Sequence, residues 1–228
     1  MSGLVATGEA RELFGLDEDE DAARLAEHPV WQAVLSGEAS REEVAVVVLA
    51  LYPVFTGRAR YLLASKVSWL ELDDGKLVFA DLHRSITDAD ADADAGWRRV
   101  ASALGIGDDE LDAAGQHPDE LASDLVSVAR EHGHRSAHEG VGVSFVLERT
   151  VPRMLGQLAV ALRSQYAVDP GEVAHLCHRA GEATANAAHL DDLLERYLRE
   201  PFEVYEARRA AREVIWDLIA LLEQAAGS

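Results

Sequence analysis

Asp169-Pro170-Gly171-Glu172 opens a run that carries His175, His178, Glu182, Asn186 and His189 and meets no further proline until Pro201. The opening predicts a helix start: Asp169 can cap, Pro170 suits the first helical position, and Glu172 places negative charge in the first turn. At about 100° per residue, His175, His178, Glu182 and His189 fall within about 60° of one another. Three imidazoles and a carboxylate therefore share one stripe among Ala, Leu and Cys177. Apolar helices seldom carry four titratable groups on one stripe without a purpose. Imidazole with carboxylate suits a first-row metal such as iron, manganese or zinc, and helix bundles build such sites from facing helices. The alternative is a partly solvated polar face.

The chain around this run has 228 residues, 48% of them hydrophobic, which is enough for one sizeable core. The expected organisation is a tail over 1–18 and one helical domain over 19–228. No run of 18 apolar residues predicts a membrane span, and Met1 to Gly15 lacks the pattern of a secretory signal. The single cysteine, Cys177, excludes an internal disulfide and fits a reducing cytoplasm. A net charge of −20, from 41 acidic against 21 basic residues, argues against nucleic acid and anionic membranes as partners. Only Lys66 and Lys76 are lysines.

Read in order, Ala22 to Leu35 has helical spacing, interrupted at Pro29 and ended by Gly37. Ser40-Arg41-Glu42-Glu43 is a capping box ahead of a central buried helix from about 41 to 70, with a kink expected at Pro53. Tyr52, Arg60 and Tyr61 are polar groups along it. A third helix from about 76 reaches Asp81, His83 and Asp88. The alternating aspartates of Asp88 to Gly96 fail as a calcium loop, because the glycine comes one position late and Ala101 stands where a bidentate Glu belongs. A solvated acidic segment is expected there. Trp97 to Leu104 reads as a short helix closed by Gly105, Gly107 to Glu120 as a polar connector, and Leu121 to Ala129 as helix. His132, His134 and His138 with Glu139 read as a surface cluster at a break marked by Gly133 and Gly140. Val141 to Tyr166 is the next helix, kinked at Pro152; Glu148 sits in its apolar run and needs a partner. Pro201 to Gln224 reads as a packing helix through Val204, Tyr205, Val214, Ile215, Trp216, Leu218, Ile219 and Leu222. No strand signal is present. The expected fold is all-α, a single bundle of about seven helices.

Several pieces in this order resemble the heme-oxygenase-like superfamily: His28-Pro29-Val30-Trp31 with Leu35 and Gly37; Ser40 opening a long helix; Leu51-Tyr52 followed by Arg60-Tyr61-Leu62; Trp97 ahead of Leu104-Gly105; Glu148 with Val151-Pro152; and a His-rich helix ending near Leu194-Glu195-Arg196-Tyr197. Within it the chain looks most like the pyrroloquinoline-quinone-synthase-like and iron-containing redox enzyme branches. The resemblance implies a seven-helix bundle, a homodimer, and a role in specialised metabolism. Heme is not expected, since Ala22 and Ala23 occupy the region where heme oxygenases carry a proximal histidine. The branch with a mid-chain cysteine nucleophile is not expected either, since Cys177 lies in the later His-rich helix.

The diiron members imply a ligand set, which falls here on Glu148, His178, Glu182 and His189, with Asp81 or His83 substituting for the third-helix pair. Ala185 stands at the last His in one register; Glu182 and Asn186 replace two ligands in the other. The expected function is thus a non-heme iron oxidase or oxygenase, with one or two irons, acting with dioxygen on a small organic substrate oriented by Tyr52 or Arg60. A cofactorless quinone-synthase-like oxidase and a non-catalytic binding protein with a degenerate metal site are the alternatives.

Overall fold

A computed structural model describes residues 20–55, 93–117 and 120–227. All regular structure among these residues is helical: α1 (Glu20–Ala26), α2 (Pro29–Ser36), α3 (Arg41–Phe55), α4 (93–104), α5 (Asp108–Gln116), α6 (Glu120–Arg135), α7 (Ala137–Phe145), a π-helical turn (Val146–Thr150), α8 (Val151–Ser164), α9 (Ala174–Tyr197) and α10 (Pro201–Gly227). No strand occurs among them, and no helix among them is long and apolar enough to cross a membrane.

Local chemistry sets most helix ends. His28 precedes Pro29, the first residue of α2. Gly37 and Gly105 end α2 and α4 with φ of 81° and 89°, a left-handed conformation that other residues adopt at a cost. At α3 the Ser40 N–H donates to Glu43 Oε2 at 2.6 Å and the Glu43 N–H to Ser40 Oγ at 3.2 Å, which completes the capping box.

The bundle is organised on the rod formed by α7, the π-helical turn and α8. Every residue from Glu139 to Leu147 is buried. One side of the rod carries α10, which packs most extensively on α7 and also on α6, α3 and α1; the other side carries α9. Against α8 lies α2, where Tyr166, just beyond α8, shares its hydroxyl between the Val34 and Ala39 carbonyls at 3.1 Å each. The core contains Trp31, Trp97, Leu125, Leu158, Leu162 and Leu176, all nearly inaccessible. Burial of such side chains stabilises the fold by about 1.5–3 kcal/mol each.

Four expectations are corrected. The stretch read as a polar connector after Gly107 contains α5: Glu110 accepts from the Gly107 N–H at 3.0 Å, and Leu111 is fully buried. Gly133 does not break α6, which continues to Arg135; the joint with α7 is the single residue Ser136, whose hydroxyl caps the Glu139 N–H at 3.1 Å. Asp169 accepts from the Gly171 N–H at 2.8 Å and shapes a turn, so α9 proper begins only at Ala174. Residues 93–96, read as solvated acidic segment, are the first turn of α4: Ala93 is buried, and Asp94 is bonded as described below. Residues 88–92, the span 56–70 of the long helix, and the third-helix region lie outside the described residues.

The α7–α10 crossing is very close. A Cβ on Gly142 would stand 2.0 Å from the Ala207 carbonyl oxygen, so the two backbones touch where only glycine fits. A Cβ on Gly181, on α9, would meet nothing within 4 Å. Gly142→Ala should therefore lower stability in urea unfolding by about 3 kcal/mol or more, whereas Gly181→Ala should be neutral or stabilising by up to about 1 kcal/mol.

Candidate functional site

Two polar constellations interrupt this core. The first is centred on Glu148. Pro152 has no N–H to offer the Glu148 carbonyl four residues earlier, and its ring crowds that carbonyl. The helix responds by widening: the Val151 N–H bonds to the Val146 carbonyl, five residues back, and Val146–Thr150 form a π-helical turn. Such single turns recur at functional sites. Glu148 stands in this turn half-buried, with no hydrogen-bond or ion-pair partner among the described residues, while its neighbour Arg149 lies over the Phe145 ring at 5.1 Å. The turn packs against α9.

On α9 the face toward α8 is set by buried Leu176 and by Ala180, whose Cβ would lie 3.0 Å from a Cβ on Gly156. His175 is half-buried and fills the space above Gly96 on α4. His178 and Cys177 are exposed, on the solvent side of the helix. The backbones of Glu182 and His189 continue the same helix, but their side chains lie outside the described residues, as do Arg60, Asp81 and His83 entirely. Of the six expected metal ligands the structure thus describes Glu148 and His178. Among the described residues no three His, Cys, Asp or Glu side chains converge as a metal site.

Tyr52 is buried between α3, α4 and α5 and donates its hydroxyl to Asp94 Oδ1 at 2.6 Å. Asp94 Oδ2 takes the Arg98 Nε–H at 2.7 Å, and Arg98 continues to Asp112 at 2.6 Å and Asp108 at 3.1 Å. Burial works to raise the Asp94 carboxyl, but the Tyr52 and Arg98 bonds outweigh it and hold it below its usual range. The residue expected to orient substrate is therefore also a tie between helices.

The second constellation lies between α6, α7 and α10 and corrects the reading of the 132–139 cluster as surface. His132 is 3% exposed and Glu139 1%. His132 Nδ1 contacts Glu139 Oε2, and His132 Nε2 contacts Glu213 Oε2 at 2.6 Å. Glu139 also accepts from Arg209 Nη2 at 2.9 Å and lies 3.5 Å from Arg135 Nη1; Arg209 Nη1 lies 3.6 Å from Glu213. The sequence Ser136-x-x-Glu139 has the form of a capping box, yet only the serine caps; the glutamate turns inward to the histidine. On the rim, His138 faces Glu203 at 3.3 Å and Glu206 at 3.6 Å. Nothing in residues 131–139 alone signalled this burial, because the partner charges Arg209 and Glu213 lie some 70 residues downstream, at helical spacing on α10.

Three buried polar atoms have no hydrogen-bond partner among the described residues: His28 Nδ1, Tyr197 Oη and Asp217 Oδ2. Burial lowers the His28 imidazole, partly offset by Glu223. Asp217 is one helical turn past Glu213; burial first, then Asp124 and Glu213, push its carboxyl up to about 6, against the pull of His132. The folded chain thus favours protonated Asp217. It binds more protons than the unfolded chain between about pH 4 and 6, so this stabilisation is full at low pH and is lost as pH rises through about 6. The full linkage corresponds to roughly 3 kcal/mol, and partial solvent access reduces this to about 1–2 kcal/mol. Asp217→Asn should raise stability by that amount in urea unfolding at pH 7.5, with the gain vanishing near pH 4.

No family model matches the chain, and no curated protein matches its sequence. Solved structures do. A TenA homologue protein from P. horikoshii superposes with a TM-score of 0.67 at 14% identity, covering 95% of this chain and 97% of that one. A domain with a heme oxygenase-like fold from Shewanella denitrificans gives 0.72 at 14% identity, covering 99% and 94%. A TenA homolog from Pseudomonas syringae pv. tomato gives 0.73 at 13% identity, covering 100% and 98%. Likeness at this identity concerns fold alone. The chain has the heme oxygenase-like all-α fold.

Proposed function

We propose that the chain is an enzyme that uses non-heme iron, one or two ions, and dioxygen to oxidise a small organic substrate, with the metal held between the π-helical turn and α9. The observation that carries this reading is Glu148: a half-buried carboxylate with no partner among the described residues, on a backbone turn that is widened ahead of Pro152 and packs against the helix bearing the His and Glu stripe. A carboxylate in such surroundings is costly unless a cation meets it. The donor chemistry fits iron, since carboxylate and imidazole suit it and the single cysteine is exposed on α9.

In this reading Glu148, His178, Glu182 and His189 hold the metal, and Asp81 or His83 completes the set. Bound iron would supply the redox chemistry with dioxygen. The protein's part is to fix the donors and exclude water. Tyr52 and Arg60 orient the substrate; the Tyr52 hydroxyl proton is committed to Asp94, and its oxygen can still accept a bond. A homodimer, a cytoplasmic setting, and the absence of heme, of nucleic-acid and of membrane partners belong to the same proposal.

Reconstitution of the purified chain with ferrous iron under anaerobic conditions, followed by metal analysis, tests it. At least one iron per chain is expected, lost in Glu148→Ala and in His178→Ala. Pro152→Ala restores the missing donor and should weaken iron binding by about 10-fold or more through displacement of Glu148. A folded chain that takes up no iron sinks the proposal.

A further inference from the structure

The chain Glu139–His132–Glu213 has no part in the iron reading, and its geometry requires a proton count. Both ring nitrogens of His132 contact carboxylate oxygens, on two different helices. Between two ionised carboxylates a neutral imidazole offers one N–H and one lone pair, so one of the two contacts would set lone pair against lone pair. Both contacts are donating only in an imidazolium. The neighbours support that state. Arg209 and Arg135 engage Glu139 and keep it an acceptor, and Glu213 is left with His132 and Arg209.

Exposure rises steadily along the chain, from 1% at Glu139 through 3% at His132 to 35% at Glu213. At its outer end Glu213 lines a groove of about 500 Å³ on the outward face of α10, together with Tyr205, Arg209, Arg212 and Trp216. Tyr205 and Trp216, expected in the core, are instead 64% and 49% exposed, because they fall opposite the buried stripe of Val204, Ala207, Ala211, Val214, Ile215 and Leu218. Arg212 is anchored to Asp21 of α1 at 3.5 Å.

We propose that Glu139, His132 and Glu213 form a proton relay, an acid–base site separate from the Glu148 region, in which His132 stores the proton and Glu213 presents it at the α10 groove. The order follows the logic of a buried carboxylate that orients an imidazole toward an accessible group. The Nε2–H proton passes to Glu213 Oε2 and leaves neutral His132, with its Nδ1–H still donated to Glu139. Protonated Glu213 then gives that proton to a basic atom of a solute in the groove, and uptake of a proton from water restores the imidazolium. No electrons move and no other bond changes. The further charged groups facing the relay are Arg135 of α6 and Asp217 of α10, the latter acted on by Asp124; His138 with Glu203 and Glu206 forms the rim.

The test uses the full chain with ¹⁵N-labelled histidine rings, read by NMR at pH 7.5, with His132→Gln identifying the resonances. The relay requires both ring nitrogens of His132 to carry hydrogen, a change to a single Nδ1–H in Glu213→Gln, and retention of the imidazolium in Glu213→Asp, which keeps the carboxylate if the amide variant folds poorly. A His132 ring with one bare nitrogen in the native chain overturns the proposal. So does an imidazolium unmoved by Glu213→Gln, which would mark a clamp between helices and no relay. Iron takes no part in this measurement, so its outcome stands apart from that of the metal experiment.

Discussion

The backbone contact between Gly142 of α7 and Ala207 of α10 is the constraint on which the rest depends. Because the two helices touch without side chains between them, the residues flanking the crossing have fixed offsets. Three residues before Gly142, Glu139 is brought to the Arg209 and Glu213 side of α10. Six residues after it, Glu148 lies past the crossing, where the rod turns from α10 toward α9. One close approach thus sets the position of both polar constellations. A methyl group at Gly142 would move them together, which is why the site and the core cannot be treated as separate designs.

The two constellations solve the same energetic problem in different ways. A buried charge is tolerated when it is paired and hydrogen-bonded. Around His132 the pairing is complete within the chain: carboxylates and guanidinium groups alternate, and the residual strain falls on Asp217, whose carboxyl is driven toward its neutral form. Around Glu148 no described side chain completes the pairing. The backbone there is also irregular, since Pro152 removes a donor and the helix widens to compensate. A charge cluster that is self-sufficient suits proton storage, whereas a carboxylate left open on a widened turn suits a ligand from outside.

Most of the fold was legible because its signals are local. Pro29, Gly37, the Ser40–Glu43 box, Gly105 and Pro201 each fix a helix end by their own chemistry, and each helix appears where they place it. What was missed depended on distant partners. Residues 108–116 look like a connector because most of them are exposed, and only Leu111 is fully buried. Gly133 looks like a break, yet tertiary packing carries α6 past it. His132 and Glu139 look like surface residues, because a polar pair is expected outside unless its counter-charges are known, and these sit on α10. Tyr205 and Trp216 look like core by hydropathy, but they project from the outward face of a helix whose opposite stripe already fills the interior. The candidate site was legible in Glu148, whose misfit in an apolar run needs no partner to be noticed; Arg60, Asp81 and His83 lie outside the described residues.

In the proposed function, Glu148 on the turn ahead of Pro152 holds a metal together with side chains of α9. It is tested most directly by a crystal structure of the iron-loaded chain with anomalous scattering collected at the iron edge. The account predicts a peak within coordination distance of the Glu148 carboxylate and of side chains on α9. A peak elsewhere, for example beside Glu213 and Asp217, or a Glu148 carboxylate bonded only to protein groups, would contradict it.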